Sequence, residues 1–426
     1  MIGPRPRAVV VVTGSELVRG ERTDLNGPFL AREALKHGLE PARIAIVGDN
    51  PAELEATLHD ALDADAVLVS GGLGPTHDDR TVEMVARALG LDLVVDPALE
   101  AQIEAVSRAA AERMRRDYAQ FAPGVTKQAT KPETALSLGL AGTAPGLLIP
   151  RDGGRVVVVL PGPPGELRRL WPNALQTAAF RELLARTQAP GRRVFRLFGV
   201  SESAVARALA DAGGDGDGVE ATICARDFEI HVDFVVDEDA EGRADKLEQR
   251  FLQPLEQWLY ARDERGVEEH VLELCRARGL TVATAESCTG GLVAARLTSI
   301  PGSSDVVLGG LVAYANEVKE RELGVPAALL VEHGAVSAQV AEAMARGARD
   351  RLRADVAVSV TGVAGPGGGT DEKPVGLVYC HASGPDGELG REFNFPGDRA
   401  AVRARSVVIA LHLVRTLLTK AYAPAG

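Results

Sequence analysis

The chain has 426 residues, a formal net charge of −12, and hydrophobic and charged fractions of 46% and 25%. At roughly 150 residues per domain this length predicts two or three domains, and the composition argues against a disordered chain. The acidic balance argues against a nucleic-acid-binding surface, and no apolar stretch of the sequence reaches the ~18 residues of a membrane helix.

The first 175 residues alternate strand and helix signals. Four apolar segments have the pattern of buried strands, and each ends in a loop rich in glycine, proline or aspartate. These predicted strands are Ala8–Val12, Arg43–Val47, Ala66–Ser70 and Val156–Leu160. Helices are predicted at Pro28–His37, after a cap at Asn50, and at Asp79–Leu89. Such alternation is typical of a parallel, doubly wound α/β sheet.

Residues 176–262 have the pattern of a small α+β module. Its predicted elements are two strands and one helix, at Arg193–Phe198, Phe228–Val236 and Ser201–Leu209. The loop at 213–218 carries two aspartates, which would repel a phosphate backbone.

Residues 263–426 return to alternating strands and helices, which predicts a second α/β domain. The predicted helices are Val267–Arg278, a helix after Gly291 through Ser299, Ser337–Leu352 and Asp398–Lys420. The predicted strands are Leu280–Ala285, Val306–Ala315, Asp355–Val360, Gly376–His381 and Glu392–Phe395.

The four cysteines predict neither a disulfide framework nor a zinc site. They are scattered, with no Cys-x-x-Cys pair and no histidine at zinc spacing. The N-terminus has no long apolar segment followed by a small-residue cleavage site. We therefore expect a cytoplasmic protein in a reducing compartment.

Four unusual loops follow the strands of the first domain and form its candidate ligand site. They are Thr13-Gly14-Ser15-Glu16, Gly48-Asp49-Asn50, the loop from Gly71 to Asp79, and Pro161 to Gly165. Ligands of open α/β sheets bind beyond the carboxyl ends of the strands, where glycine-rich turns offer N–H groups to phosphates. Asp49, Asp78 and Asp79 are candidate metal ligands, although aspartates such as Asp79 also cap helices. We interpret the loops as a site for a phosphorylated ligand; they contain neither a Walker A nor a Gly-x-Gly-x-x-Gly motif.

The third domain contains a loop with two candidate nucleophiles, Ser287 and Cys288. Ser287 lies between a strand and a glycine-led helix, where an N–H group of Thr289, Gly290 or Gly291 would face an oxyanion. A serine at this position is also a common helix cap. Cys288 is the alternative nucleophile, because a thiol at a helix N-terminus has a lowered pKa.

A nucleophile needs a base, and Lys319 and three histidines are the candidates in this domain. His270, His333 and His381 lie in no recognisable catalytic motif. Lys319 would act as a base where desolvation or a neighbouring cation lowers its pKa. The alternative is a solvated helix lysine paired with a nearby glutamate.

The glycine-rich loop at 361–369 is the third feature of this domain. Its glycine density allows the backbone to approach a ligand closely, most naturally a phosphate. A flexible connection between two strands is the alternative.

The N-terminal motifs resemble those of the CinA family, the competence/damage-inducible proteins, whose first domain is similar to molybdopterin-binding proteins. The resemblance rests on Thr13-Gly14-Ser15-Glu16-Leu17, Val47-Gly48-Asp49-Asn50, the segment from Gly71 to Asp79, and Leu160-Pro161-Gly162-Pro163-Pro164. It implies a nucleotide-diphosphate or pterin-phosphate site and, in some members, a metal-dependent ADP-ribose pyrophosphatase. The implied phosphate or nucleotide site comprises Glu16, Asn26, Gly71, Gly72, Gly74 and Thr76, with a divalent metal at Asp49, Asp78 and Asp79. Asp24 departs from the family, which has Asn there, and the extra carboxylate would alter ligand or metal preference.

The C-terminal motifs resemble the nicotinamide-nucleotide amidase domain of the same family. They are Ala285 to Gly291, Tyr314-Ala315-Asn316-Glu317-Val318-Lys319, His333 to Ser337, Val360 to Pro366, and Glu372 to Gly376. The resemblance implies conversion of nicotinamide mononucleotide and water to nicotinate mononucleotide and ammonia, with Ser287 as nucleophile and Lys319 as base. The implied substrate-binding residues are Glu286, Thr289, Gly290, Gly291, Tyr314, Thr361, Gly362 and Gly365. The middle module is similar to the KH-like insert of longer members.

The sequence thus predicts a molybdopterin-binding-like α/β domain at 1–175, a KH-like α+β module at 176–262 and an α/β amidase domain at 263–426. We expect an amidase without a cofactor, and a divalent metal at the N-terminal site. The expected partners are nicotinamide mononucleotide, ADP-ribose and further copies of the chain in a homodimer or larger assembly, without nucleic acid or membrane. Two alternatives remain: the pyrophosphatase as the main activity, or a non-enzymatic competence or recombination accessory protein.

Overall fold

The computed structural model describes residues 5–419, so Lys420, the predicted end of the last helix, lies outside the described residues. The chain divides into two units, 1–191 and 192–426, and the second unit contains both the middle module and the C-terminal sheet. Within residues 5–419, no helix combines the length and the apolar character that a membrane span requires.

The first unit alternates strands and helices along most of its length. Its strands are β1 (Arg7–Thr13), β2 (Glu40–Val47), β3 (Ala66–Ser70), β4 (Leu93–Val95), β5 (Thr130–Pro132), β6 (Leu136–Leu140), β7 (Pro145–Arg151) and β8 (Arg155–Leu160). Its helices are α1 (Ser15–Val18), α2 (Asn26–Lys36), α3 (Pro51–Ala61), α4 (Thr81–Leu89), α5 (Pro97–Met114), α6 (Ala122–Ala129), α7 (Pro164–Gln176) and α8 (Ala178–Leu184).

The main sheet of this unit is mixed, with the strand order β2-β1-β3-β8-β7-β6. The first four strands are parallel, as predicted, whereas β7 and β6 run antiparallel to their neighbours. The four predicted strands are the parallel ones, and β7 and β6 extend the sheet at an edge that the sequence did not predict. The connection between β7 and β8 is a tight turn with Gly153 and Gly154 at φ 75° and 68°, and a turn that short joins only antiparallel strands.

The valines of β1 serve both faces of this sheet. Val10 and Val12 pack in the layer formed with α7 and α8, and Val9 and Val11 pack in the opposite layer with α3 and α4. Successive side chains of a strand point to opposite faces, so a continuous apolar run is what a strand covered on both sides requires.

The second unit contains the remaining described elements. Its strands are β9 (Gly191–Phe198), β10 (Val219–Arg226), β11 (Glu229–Val236), β12 (Leu259–Ala261), β13 (Val282–Glu286), β14 (Val307–Val312), β15 (Val356–Gly362), β16 (Leu377–Gly384) and β17 (Gly387–Asn394). Its helices are α9 (Glu202–Ala212), α10 (Glu241–Leu252), α11 (Val267–Arg278), α12 (Leu292–Thr298), α13 (Asn316–Leu323), α14 (Ala327–His333), α15 (Ala338–Leu352) and α16 (Arg399–Thr419).

Two sheets organise this unit. The middle module has the strand order β10-β11-β9-β12 with α9 and α10, which is the predicted α+β arrangement. The C-terminal sheet has the order β14-β13-β15-β16-β17, in which β14, β13 and β15 are parallel. Glu286 at the end of β13 is in register with Val312 of β14 and Val360 of β15. The loops after these parallel strands therefore emerge at one edge of the sheet.

Candidate active site

Ser287 and Lys319 meet at this edge of the C-terminal sheet. Ser287 directly follows β13, and its backbone N–H donates to the carbonyl oxygen of Val360 at 2.9 Å. Lys319 lies on α13, and its Nζ donates to Ser287 Oγ at 3.2 Å. The predicted nucleophile and the predicted base are thus within hydrogen-bonding distance of each other.

Lys319 is almost completely buried, with 1% of its surface exposed. Besides Ser287, its Nζ donates to the carbonyl oxygens of Ala313 and Tyr314, at 2.9 and 3.1 Å. Burial disfavours the ammonium form and lowers the pKa of Lys319 from its ordinary value. The alternative of a solvated lysine paired with a neighbouring glutamate is therefore wrong. In the neutral amine, two N–H groups satisfy the two carbonyls, and the lone pair faces the Ser287 hydroxyl.

Cys288 does not have the properties expected of a nucleophile. It is 4% exposed and belongs to the apolar core. Burial raises the pKa of its thiol to about 11. The prediction of a lowered pKa at a helix N-terminus was wrong, because α12 begins only at Leu292 and desolvation opposes the thiolate.

Glu286 holds the nucleophile loop in place. It is 1% exposed, and its carboxylate accepts backbone hydrogen bonds from Gly291, Val293 and Ala294 at 2.9 to 3.0 Å. These bonds satisfy N–H groups at the start of α12 that have no partner within the helix. Glu286 therefore organises the loop and the helix that follows it. This role differs from the substrate contact that the family resemblance implied.

The same bonds narrow the choice of oxyanion donors. The N–H groups of Ser287, Gly290 and Gly291 donate to Val360 O, Ser287 O and the Glu286 carboxylate respectively. Of the three predicted donors, Gly290 and Gly291 are thus engaged inside the loop. Thr289 stays a candidate, and the N–H group of Cys288 joins it.

Arg403 on α16 fixes the outer side of this loop, and sequence reasoning missed it. Its Nε donates to Cys288 O at 3.0 Å and its Nη2 to Thr289 O at 2.9 Å. The Thr289 side chain is fully buried, and its Oγ1 has no hydrogen-bond partner among the described residues. An unsatisfied buried hydroxyl is rare in folded proteins, so this atom is a candidate contact for a ligand.

Tyr314 forms the exposed side of the site. Its side chain is 61% exposed, and its hydroxyl accepts a hydrogen bond from Arg399 Nη2 at 3.0 Å. Arg399 Nη1 donates to the carbonyl of Gly365 at 2.8 Å. Arg399 therefore joins the loop after β14 to the glycine-rich loop after β15. Arg399 and Arg403 are four residues apart, hence on one face of α16, which is the signal that could have identified both.

Thr361 and Gly362 serve the packing of β15. Thr361 is fully buried, and its hydroxyl donates to the carbonyl of Ala335 at 2.7 Å. A Cβ on Gly362 would lie 2.7 Å from Leu377 O, so only glycine fits against β16. Thr361 thereby fixes the segment before α15, next to the strand end that anchors Ser287.

The three histidines named from the sequence have partners elsewhere, and so does the fourth histidine of residues 263–426, His412, whose Nε2 lies 2.6 Å from Glu229 Oε1. His270 Nε2 lies 3.2 Å from Asp263 Oδ1, His333 lies beside Glu332, and His381 lies 3.5 Å from Glu388. None of these contacts involves Ser287, so Lys319 is the candidate base that the described residues bring to it.

The predicted phosphate-binding residues of the first unit are divided between two cavities. Glu16 and Asn26 line a cavity of about 430 Å³ together with Ser70. Gly72 and Gly74 line a second cavity of about 350 Å³. Gly71 and Thr76 are not among the residues that line these two cavities.

Asn26 is the most informative side chain of the first cavity. It is 6% exposed, and its Nδ2 donates to Ser70 Oγ at 2.9 Å and to Gly162 O at 2.7 Å. Its Oδ1 is buried and has no partner among the described residues. A buried amide oxygen in this condition marks a place where a ligand donor would be favoured.

Asp24 caps a helix. Its carboxylate accepts from the N–H groups of Asn26 and Gly27 at 2.8 to 3.1 Å, at the start of α2. Asp24 also lines the 430 Å³ cavity, so the extra carboxylate lies at the candidate ligand site with both of its oxygens bonded to the start of α2.

The three predicted metal ligands do not meet in the described residues. Asp78 and Asp79 both accept from the hydroxyl of Thr76. Asp49 accepts from the N–H of Ser15 at 3.0 Å, and no recorded contact joins it to that pair. Within residues 5–419, no group of three or more His, Cys, Asp or Glu side chains is arranged to hold a metal ion. Asp79 does not cap α4, because Arg80 occupies that position.

The fold and the site define a two-unit α/β protein, with a molybdopterin-binding-like first unit and a serine–lysine pair in the second. Comparison with known proteins agrees with this class. The CinA C-terminal domain family matches residues 264–418, and the probable molybdopterin binding domain family matches residues 9–180.

Relatives cover nearly the whole chain. The CinA-like protein of Mycolicibacterium paratuberculosis is 44% identical over 433 residues, covering 97% of this chain and 99% of the relative. The CinA-like protein of Mycobacterium leprae is 44% identical over 421 residues, covering 97% of each. The crystal structure of competence/damage inducible protein CihA from Agrobacterium tumefaciens is 44% identical, covering 37% of this chain and 99% of that one, with a TM-score of 0.35. The chain belongs to the CinA family.

Proposed function

We propose that the second unit hydrolyses the amide of nicotinamide mononucleotide to nicotinate mononucleotide and ammonia. The observation that carries the proposal is the 3.2 Å contact between Lys319 Nζ and Ser287 Oγ, with the amine buried and its pKa lowered. The substrate comes from the resemblance of the motifs around both residues to the nicotinamide-nucleotide amidases.

The first half of the reaction forms an acyl-enzyme. Neutral Lys319 takes the proton of the Ser287 hydroxyl while Oγ attacks the amide carbon. The carbonyl oxygen becomes an oxyanion, for which the N–H groups of Cys288 and Thr289 are the candidate donors. When the tetrahedral intermediate collapses, the C–N bond breaks and the Lys319 ammonium returns its proton to the leaving ammonia.

The second half releases the acid. Neutral Lys319 takes a proton from water, the hydroxide attacks the ester carbon, and Ser287 leaves with that proton restored. The products are nicotinate mononucleotide and the starting enzyme, so the cycle needs no cofactor. Thr289 Oγ1, buried without a partner in the described chain, is the protein atom that bound substrate would satisfy.

The chain's net charge of −12 disfavours a phosphorylated substrate at long range. Local cations counter this at the site, where Arg403 holds the Ser287 loop and Arg399 joins Tyr314 to Gly365. Small nucleotides are compatible with such a local arrangement, whereas long polyanions would meet the acidic surface.

A second candidate activity, hydrolysis of ADP-ribose by the first unit, is favoured by the unpartnered Oδ1 of Asn26 in the 430 Å³ cavity. Asp78 and Asp79 are the acidic pair to which a divalent cation on a pyrophosphate would add. The described residues assemble no three-ligand metal site in this unit.

One product assay tests both activities. The purified full chain is incubated with nicotinamide mononucleotide or ADP-ribose, each with and without Mg²⁺ or with a chelator. We expect metal-independent ammonia release from the first substrate. Absence of turnover on any pyridine mononucleotide would refute the amidase and would favour an accessory protein that acts through partners.

A further inference from the structure

The second unit contains a cavity that has no role in the chemistry proposed above. It has a volume of about 600 Å³, within the range of small-molecule sites, and neither Ser287 nor Lys319 lines it. Its walls come from the middle module and from β17 and α16. They are mainly apolar and aromatic: Phe198, Phe228, Ile230, Phe393, Ile409 and Leu413.

One wall of this cavity contains a buried polar pair. Glu229 and His412 are 4% and 1% exposed, and His412 Nε2 lies 2.6 Å from Glu229 Oε1. Arg415 Nε donates to His412 Nδ1 at 3.3 Å, which fixes the imidazole as the neutral form that donates through Nε2. His231 lies 3.2 Å from the other carboxylate oxygen. Hydrogen bonds from both imidazoles favour the charged form of Glu229, so this carboxylate keeps its negative charge at the cavity wall.

Aromatic rings in the cavity walls favour a flat ligand. The Phe198 ring is stacked on the His412 imidazole with centroids 3.7 Å apart and planes 8° apart. Phe228 lies at the turn between β10 and β11 with φ 73°, a backbone conformation that a bulky side chain rarely adopts. Its ring packs edge-on against Phe395. Strain of this kind persists where the surroundings hold it, often at ligand sites.

The charges of the lining decide the class of ligand. Two carboxylates, those of Glu202 and Glu229, stand against one guanidinium, that of Arg391. The two carboxylates of the lining favour a cationic or N–H-bearing ring over a phosphate, and the Arg415 guanidinium on the far side of His412 is not part of the lining. We propose that this cavity binds a planar heteroaromatic molecule that carries a cationic or N–H donor group and no phosphate.

The helix α16 connects the cavity to the loop around Ser287. His412, Ile409 and Leu413 lie on α16, and the same helix holds the Ser287 loop through Arg403. His412 is nine residues beyond Arg403, roughly 13 Å along the helix axis at 1.5 Å per residue. The site is a place for a regulator rather than for the substrate of the serine–lysine pair, since neither Ser287 nor Lys319 lines it.

The test uses 9-aminoacridine, a planar fluorescent monocation, and an anionic aromatic dye of similar size, 8-anilinonaphthalene-1-sulfonate. Fluorescence anisotropy of the full chain should show saturable one-to-one binding of the cation and weaker binding of the anion. Ala225→Trp fills the cavity from β10 and should weaken cation binding by roughly tenfold or more, whereas Ala210→Trp, on the exposed side of α9, should not.

Two further variants complete the test. Glu229→Gln should weaken binding of the cation by roughly tenfold and reduce its preference over the anion. Ser287→Ala should bind the cation as the wild type does, which separates this site from the catalytic one. Thermal unfolding identifies any variant that fails to fold, and Ala225→Trp does not touch the buried pair. Unchanged binding in Ala225→Trp, loss of binding in Ser287→Ala, or tighter binding of the anion would each overturn the proposal.

Discussion

The side-chain nitrogen of Lys319 lies 3.2 Å from the hydroxyl oxygen of Ser287, and the two residues are separated by 32 positions in the sequence. The neighbouring thiol of Cys288 is buried with its pKa raised to about 11. Burial lowers the pKa of Lys319, which favours the neutral amine beside the serine, whereas the cysteine remains a thiol at neutral pH. Of these two adjacent residues, only the serine is therefore placed to act as a nucleophile.

Replacing Ser287 and Cys288 one at a time shows which of them is the nucleophile. Ser287→Ala should reduce ammonia release from nicotinamide mononucleotide to the background, because no hydroxyl remains beside Lys319. Cys288→Ala should keep most of the activity and lose some stability, on the order of 1 kcal/mol, since a buried sulfur is removed. Ammonia production and thermal unfolding of both variants are measured side by side. An inactive cysteine variant with normal folding would contradict the serine–lysine assignment.

The pH dependence of the amidase should report the neutral form of Lys319. Burial lowers its pKa, so the amine becomes available as a base at a lower pH than a solvated lysine would. We expect kcat/KM to rise with pH and to level off above the lowered pKa. Lys319→Arg should lose roughly 10²–10⁴-fold in kcat, because a guanidinium stays protonated. Lys373→Arg, outside the pair, is the control. A profile that falls with increasing pH would be incompatible with a lysine base.

Arg403 should act on catalysis through the position of the loop. Arg403→Ala removes the two hydrogen bonds to Cys288 O and Thr289 O, so the oxyanion donors are no longer fixed. A displacement of about 1 Å in such a site costs on the order of 10²-fold in rate, and we expect the loss in kcat rather than in KM. Arg405→Ala, on the same helix but in contact with Pro396, should leave kcat unchanged. An equal loss in both variants would indicate a general effect on α16.

Continuous apolar runs and local caps were predictable from the sequence. The strands β1, β3, β8, β13 and β15 lie where the runs predict them. Gly90 and Gly279 end their helices in the left-handed conformation, with φ of 65° and 63°, and the side chains of Asn50 and Ser337 cap theirs. These features depend on a few neighbouring residues, which is why the sequence alone identifies them.

Features that depend on long-range packing were not predictable. The strands β7 and β10 were missed, because their partners in the sheet decide their conformation. The role of Glu286 depends on the three backbone N–H groups that its carboxylate accepts, which the sequence does not reveal. The rule for thiols at helix N-termini failed at Cys288 because the rule presumes access to solvent. Arg403 acts on a loop 114 residues away, a distance that no local pattern covers.

The N-terminal site can be tested at Asn26 without changing its shape. Asn26→Asp replaces the amide nitrogen, which donates to Ser70 and Gly162, by an oxygen that faces the same acceptors. We expect a destabilisation of about 1–3 kcal/mol and loss of ADP-ribose binding measured by calorimetry. Asn50→Asp is the matched control, because aspartate caps α3 as well as asparagine does. Wild-type ADP-ribose affinity in a folded Asn26→Asp variant would remove Asn26 from the ligand site.

Acid should destabilise the second unit through the pair of Glu229 and His412. Burial lowers the pKa of His412 to about 4, below the ordinary 6.5, so unfolding takes up a proton between these values. Burial raises the pKa of Glu229, but hydrogen bonds from His231 and His412 outweigh it and bring the pKa to about 2. The contribution of this pair to the free energy of unfolding is therefore fully present above about pH 6.5. It declines toward about pH 4 as the histidine takes up a proton, and it declines further from about pH 4.5 to about pH 2 as the carboxylate does.

His412→Gln isolates the first step, because glutamine donates to Glu229 and does not titrate. We expect the slope of the unfolding free energy between about pH 6.5 and about pH 4 to fall by roughly one proton relative to wild type. His381, which lies in the same unit and whose pKa burial also lowers, supplies part of the slope that remains. Urea titrations followed by Trp258 fluorescence, in a Trp171→Phe background, report the second unit. His59→Gln, at an exposed position of α3, is the control, and an unchanged slope in His412→Gln would show that the buried pair does not couple protonation to folding.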